Sequence, residues 1–228
     1  MVSTILRINP DISPTANDWF GSKFEMVQKC FKSFLNAGGF DTELIVILDR
    51  CDDHPEYEEL VRPYAKYIHK GNWGTKRNTI TVMYEMAHDR ATGDVILFLE
   101  DDYLWREDGF SIAKLEEATR YFKLTSPYDH PNHYLGSLAH EIRPLNYSNG
   151  EKGLWRRAVT STHTFAVLRD EFLARMPQFH FGEHDWQQFT YLHINGLTLW
   201  SPVYSFATHM AKDCDSFGYD WKKYLERR

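Results

Sequence analysis

Two stretches of the chain are apolar at nearly every position: Glu43-Leu44-Ile45-Val46-Ile47-Leu48 and Val95-Ile96-Leu97-Phe98-Leu99. A strand without polar alternation is buried on both faces, the pattern of a parallel sheet covered by helices. A shorter strand is expected from Ser3 to Ile8, ending at Asn9-Pro10. Between these runs the period changes. Phe24, Val27, Phe31, Phe34 and Leu35 recur at helical intervals after Ser22, which has capping-box spacing to Glu25, and Gly38-Gly39 ends the run. Pro55 opens a helix bearing Tyr57, Leu60, Val61 and Tyr64, a short strand follows near Tyr67-Ile68, and a helix from Thr75 carries Ile80, Met83, Tyr84 and Ala87 up to Gly93. Strand and helix thus alternate from Ser3 to Leu99, which predicts an α/β fold with a mostly parallel central sheet flanked by helices.

The second half is less regular. Helix is expected from about Phe110 to Phe122, strand from Tyr134 to Ala139, and loop from Glu141 to Gly153. Ala158 to Leu168 reads as one strand entering a short helix at Asp170. His184 to Ile194 reads as a helix stopped by Asn195-Gly196, and Leu197 to Phe206 as strand. The aromatic and charged tail from Asp213 suits a lid or a docked helix. No linker or repeat divides the chain, so residues 1–228 are expected to form one domain.

Composition narrows the classes. The net charge is −6, from 26 basic and 32 acidic residues, which disfavours nucleic acid as a partner. No apolar run approaches the ~18 residues that span a bilayer. Cys30, Cys51 and Cys214 are odd in number and widely spaced, so no disulfide framework or zinc pair is suggested, and a reducing, cytoplasmic setting is expected. The N-terminus has no signal-peptide organisation. Asn146-Tyr147-Ser148 matches a glycosylation acceptor only formally.

In open α/β sheets, ligands bind beyond the carboxyl ends of the strands. Asp49 follows the first apolar run, and Glu100-Asp101-Asp102 follows the second. Three adjacent carboxylates repel one another, and a divalent cation, Mg²⁺ or Mn²⁺ for oxygen ligands, would relieve the repulsion. Acidic residues are also common where a strand exits into solvent. The surrounding order decides between the two. Gly71-Asn72-Trp73-Gly74-Thr75-Lys76-Arg77-Asn78, a helix, Ala91-Thr92-Gly93-Asp94, the apolar strand and then Glu100-Asp101-Asp102 resemble the nucleotide-sugar half of GT-A-fold glycosyltransferases, whose strand ends in an acidic "DxD" motif. The Glu-Asp-Asp form is similar to that of N-acetylglucosaminyltransferases.

The resemblance implies a donor-binding half over residues 1–102 and an acceptor-binding half over residues 103–228. In the donor half, Asp102 would bind the metal, Glu100 and Asp101 would face the ribose and the metal's water shell, Asp49 would hydrogen-bond the base, and Arg77 and Arg7 would lie near base or diphosphate. A pyrimidine, UDP or dTDP, is then the expected nucleotide. The family often has Asp-Gly-Ser after its second strand, where this chain has Asp49-Arg50-Cys51-Asp52-Asp53. Gly182-Glu183-His184-Asp185 resembles the Gly-Glu-Asp segment that supplies the base of inverting members, leaving Glu183 or Asp185 for that role. His209 matches a C-terminal metal-binding histidine. The implied function is sugar transfer from a nucleotide sugar to a hydroxyl, of a glycan, with inversion. A binding module without turnover shares the donor half. A sugar-1-phosphate nucleotidyltransferase would need a Gly-rich loop after its first strand, where this chain has Arg7-Ile8-Asn9-Pro10-Asp11.

Overall fold

The computed structural model describes residues 1–16, 18–131, 147–150, 153–182 and 184–226. The first half follows the sequence pattern closely: β1 (Val2–Ile8), α1 (Lys23–Asn36), β2 (Glu43–Asp49), α2 (Pro55–Val61), β3 (Ala65–Gly71), α3 (Lys76–Arg90) and β4 (Val95–Glu100). Ser22 caps α1 by accepting from the Glu25 N–H, and Thr75 caps α3 by accepting from the Asn78 N–H. Gly38 leaves α1 at φ 106°, a conformation that only glycine adopts without steric cost.

The second half comprises β5 (Tyr103–Trp105), α4 (Ser111–Phe122), β6 (Leu124–Thr125), β7 (Tyr147–Gly150), β8 (Gly153–Ala158), β9 (Phe165–Leu168), α5 (Arg169–Phe179), α6 (Asp185–Ile194), β10 (Leu199–Pro202), β11 (Ala207–His209) and α7 (Trp221–Glu226). Among the described residues nine strands form one sheet in the order β3-β2-β1-β4-β9-β6-β10-β8-β7, and β11 pairs with β5 separately. Strands β3, β2, β1 and β4 are mutually parallel, β6 and β10 run with them, and β9 and β8 run against them.

Alternate residues of the parallel strands face opposite helix layers. Leu6, Ile8, Val46, Leu48, Leu97 and Leu99 pack with α1, α2 and α4, whereas Ile5, Ile45, Ile47, Ile96 and Phe98 pack with α3, α5 and α6. Every residue of β2 and β4 is buried, as an uninterrupted apolar run requires, and each aliphatic side chain so buried stabilises by about 1.5–3 kcal/mol.

Three expectations change. Tyr147–Gly150 is a strand, not loop, because it pairs antiparallel with β8 as the sheet's edge. Ala158 to Leu168 is not one strand: β8 ends at Ala158, residues 159–164 form a loop, and β9 starts at Phe165. The β-branched Thr160, Thr162 and Thr164 favour strand locally, but their hydroxyls and neighbouring N–H groups are drawn into tertiary hydrogen bonds instead. Leu197 to Phe206 holds only the short β10, and a second strand, β11, contains His209. The expected strand from Tyr134 to Ala139 lies outside the described residues. The tail ends in a docked helix, with Trp221 buried against Met26, Cys30, Leu104 and Met210. Among the described residues no helix is long and apolar enough to cross a membrane.

Candidate active site

The parallel strands β1, β2 and β4 end side by side, because Arg7 is in register with both Ile47 and Glu100. Their carboxyl ends open into a cleft of about 650 Å³, lined by Arg7, Lys23, Lys76, the Glu100-Asp101-Asp102 triplet, Thr162, His163, His184, Asp185 and His209. The segment from Asn9 to Ala16 forms one wall. It is pinned by a hydrogen bond from the Lys212 N–H to the Thr15 carbonyl at 2.7 Å.

Each acidic side chain of the triplet has its own cationic partner. The Glu100 carboxylate meets Arg7 at 3.1 Å and Lys76 at 2.9 Å. Burial opposes its charge, yet Lys76 and Arg7 hold its pKa below the ordinary carboxylate value. Asp101 accepts from the Lys23 ammonium at 2.7 Å and from the Asn9 N–H at 2.8 Å. Here burial prevails and pushes the pKa up. Asp102 meets His209 Nε2 at 3.1 Å. Burial again works against its charge, but His209, with Lys23 and Lys76 further away, carries the carboxyl well below its usual range. Reciprocally, burial disfavours the imidazolium of His209, and Asp102 overrides it to raise the pKa to about 10. The repulsion expected within the triplet is therefore already balanced by internal cations.

Among the described residues, the buried polar atoms on cleft-lining side chains that lack a hydrogen-bond partner are Arg7 Nε, Arg50 Nε, His163 Nδ1, His209 Nδ1 and Asp102 Oδ1. Of these, Asp102 Oδ1 is the carboxylate oxygen, and leaving one buried and unpaired costs about 1–3 kcal/mol or more. Among the described residues no three His, Cys, Asp or Glu side chains converge as a preformed metal cage. Once the His209 proton is released, as metal binding to histidine requires, the Asp102–His209 pair fits Mg²⁺ or Mn²⁺, which are commonly held by one or two protein groups with phosphate and water completing the shell.

Asp49 lies below the cleft rather than in its lining, 1% exposed. Its Oδ2 accepts from Thr79 Oγ1 at 2.7 Å and Asn9 Nδ2 at 3.1 Å, Arg7 lies 3.8 Å away, and the Trp73 N–H reaches Oδ1 at 3.4 Å. It ties the ends of β1, β2 and α3 together. Arg77 is exposed and lines a smaller side cavity of about 190 Å³, bounded also by Lys76, Tyr84, His163, His180 and His184.

Asp185, the first residue of α6, lines the same cleft. Its Oδ2 accepts from the Thr160 hydroxyl, from the Ser161 N–H at 3.0 Å and from the Thr162 N–H at 2.7 Å. Burial opposes its charge, while the nearby His163 and these donors lower its pKa. The loop so held is strained: Thr162 and His163 have φ of 46° and 65°, and non-glycine residues there cost about 1–3 kcal/mol each. Glu183 lies outside the described residues.

Arg7, Glu100, Asp101, Asp102, Asp185 and His209 are thus brought into one cleft, Asp49 beneath it and Arg77 beside it. Lys23, Lys76 and His163 were missed by sequence reasoning. Lys76 adjoins Arg77 in the segment singled out before α3, so a signal existed. Lys23 carried none, and His163 was concealed by the strand-like run of threonines.

No family model matches the sequence, and no curated protein matches it either. Solved structures do share its fold. S. aureus TarS 1-349 superposes with a TM-score of 0.57 at 12% identity, covering 90% of this chain and 59% of that one. GalNAc-T7 with UDP, GalNAc and Mn²⁺ gives 0.58 at 12% identity, covering 94% and 45%. A nucleotidyl transferase from Methanothermobacter gives 0.52 at 12% identity, covering 89% and 86%. The fold is GT-A-like. The chain spans only about half the length of the two larger neighbours.

Proposed function

We propose that this chain is a metal-dependent glycosyltransferase, moving a sugar from a UDP- or dTDP-sugar to a hydroxyl of a glycan acceptor with inversion. The observation that carries the reading is the Asp102–His209 pair, with its unpartnered Asp102 oxygen, at the carboxyl end of β4 inside the main cleft. Asp102 and His209 would hold Mn²⁺ or Mg²⁺, whose chemistry is to neutralise charge on a departing diphosphate. Lys76, Arg7 and Lys23 surround the same point and add fixed positive charge where phosphate oxygens would lie. Glu100 and Asp101, each held by these cations, keep them aimed into the cleft and face the ribose side. Asp49 fixes Asn9, whose neighbour Asp11 shares the base end of the cleft with Arg50 at 2.8 Å. Asp185 and its loop form the acceptor wall. GalNAc-T7, which shares the fold, is known with UDP and Mn²⁺, which supports this donor class.

The nucleotidyltransferase reading draws on the shared fold of the Methanothermobacter protein. Against it, the wall after β1 contains no glycine from Asn9 to Phe20, so no flexible backbone cradle for a triphosphate is built there. Turnover decides among enzyme, nucleotidyltransferase and binding module. The purified protein with Mn²⁺ is expected to release UDP or dTDP from its sugar nucleotide and to form no nucleotide sugar from sugar-1-phosphate and triphosphate. Tighter binding of GDP than UDP by calorimetry would refute the donor assignment, and a product of retained anomeric configuration by NMR would refute inversion.

A further inference from the structure

The loop between β8 and β9 is held more tightly than a connection needs to be. Besides the three donors it gives to Asp185, its Ser161 carbonyl accepts from Tyr103 Oη at 2.7 Å, and Thr164 Oγ1 accepts from the Glu100 N–H at 3.1 Å. The loop is fixed at both ends to the walls of the cleft. Strain of this kind persists only where the surroundings enforce it, and it gathers at functional positions. What the strained backbone presents is the His163 side chain, which lines both the main cleft and the side cavity. The imidazole makes no hydrogen bond among the described residues, and its Nδ1 is buried without a partner.

We infer that His163 is a catalytic residue that takes the proton of the acceptor hydroxyl at the junction of the two cavities, with Asp185 as the positioning residue that holds its loop. This rests on the glycosyl-transfer reading above. The charged groups that act most on His163 are Lys76 from α3, Glu100 from β4, Asp185 from α6 and Arg7 from β1, and Arg77, His180 and His184 line the side cavity with it. Burial, then Lys76, outweigh the two carboxylates and lower its pKa, so the imidazole is neutral and able to accept a proton. Asp185 is the poorer base, because three donors already occupy one of its oxygens. In the step, the acceptor O–H bond breaks and its proton moves to an imidazole nitrogen. The freed oxygen pair forms the bond to the anomeric carbon, and the pair of the carbon–phosphate oxygen bond leaves with the nucleoside diphosphate. The imidazolium then returns its proton to solvent.

The test uses the whole chain with Mn²⁺ and a panel of UDP-glucose, UDP-N-acetylglucosamine, UDP-galactose and dTDP-glucose. It scores hydrolysis, in which water is the acceptor, and transfer to p-nitrophenyl glycosides. Both His163→Asn and His163→Gly tolerate a positive φ, so the loop is retained. Each is expected to lower kcat by ~10²-fold, the scale of a lost general base, with UDP affinity by calorimetry unchanged. Added imidazole should restore activity in His163→Gly, which a purely structural role would not produce. In the wild type the acidic limb of the kcat profile should lie below the ordinary histidine value, and Asp185→Asn should move it lower, since that carboxylate favours the imidazolium. Full activity in His163→Asn, or no imidazole rescue, overturns the assignment while leaving glycosyl transfer intact. Absence of turnover with every donor in the wild type overturns the reading beneath it.

Discussion

Carboxylates sit at both ends of the same parallel strands, and the two sites are built to different rules. At the amino end, Glu43 opens β2 with both oxygens used: Oε2 accepts from Ser3 Oγ, the Thr92 N–H at 2.9 Å and Thr92 Oγ1 at 3.0 Å, and Oε1 meets Lys66. Burial opposes its charge, but Lys66 and these hydroxyl and amide donors bring its pKa down to about 2. Gly93 completes the knot. A Cβ there would come within 2.6 Å of the Met1 carbonyl and 2.7 Å of the Ser3 nitrogen. At the carboxyl end, the triplet has more charges and more cations, yet Asp102 Oδ1 has no partner and the groups line open space. Acidity alone does not mark a ligand site. The amino-end site is closed on itself and serves the fold, whereas the carboxyl-end site leaves capacity for something else.

Substitutions can break this contrast. The largest effect is expected from Asp102→Ala, which removes the incompletely satisfied carboxylate. Mn²⁺-dependent UDP binding by calorimetry should disappear in a protein whose circular dichroism is native. Unchanged affinity would place the metal, or the nucleotide, elsewhere. Asp185→Asn should follow, with a ~10²-fold fall in transfer and no change in UDP affinity, if it acts through the loop that carries His163 as proposed. A parallel fall in affinity would place Asp185 at the nucleotide instead.

At the closed end the sign is reversed, with stability lost and binding spared. Glu43→Gln should lower unfolding free energy by about 2 kcal/mol, since an amide cannot accept from all the donors now gathered there. Urea titration would measure it, and a weakened UDP affinity would show the two ends to be coupled. The smallest effect concerns pH. The folded pKa of Glu43 lies below its ordinary 4.5, so its contribution is complete above that value and disappears as pH falls from 4.5 toward about 2. Urea midpoints should drop across this interval in the wild type and less in Glu43→Gln. Equal slopes would assign the acid sensitivity to other carboxylates.

Much of the first half, residues 1–102, was legible in sequence because its signals are local. The apolar runs of β2 and β4, the caps Ser22 and Thr75, and the stop at Gly38 each act within a few residues, and the structure follows them. The strand-end rule then pointed to the Glu100-Asp101-Asp102 triplet. It pointed equally to Asp49, which also ends a buried strand but whose Oδ2 is taken by Thr79 and Asn9 and whose Oδ1 meets the Trp73 N–H. Glu43 was read only as the edge of an apolar run. Its donors come from β1 and from the turn before β4, and no local pattern announces them.

The sequence by itself determined the alternation of strand and helix, the burial of the central strands on both faces, and the position of the acidic triplet at a strand end. These follow from periodicity and propensity, which are properties of neighbouring residues. Only the tertiary structure decided which carboxylates are satisfied. Lys23 and Lys76 lie 78 and 24 positions from the acids they neutralise, and His209 lies 107 from Asp102. It also decided that a threonine-rich run with strand propensity becomes a strained loop around His163, because the Asp185 carboxylate and the Tyr103 hydroxyl offer its polar groups partners that a sheet edge would not. Charge pairing and strain are settled by distance in space, and distance in space is set by the packing of the whole chain.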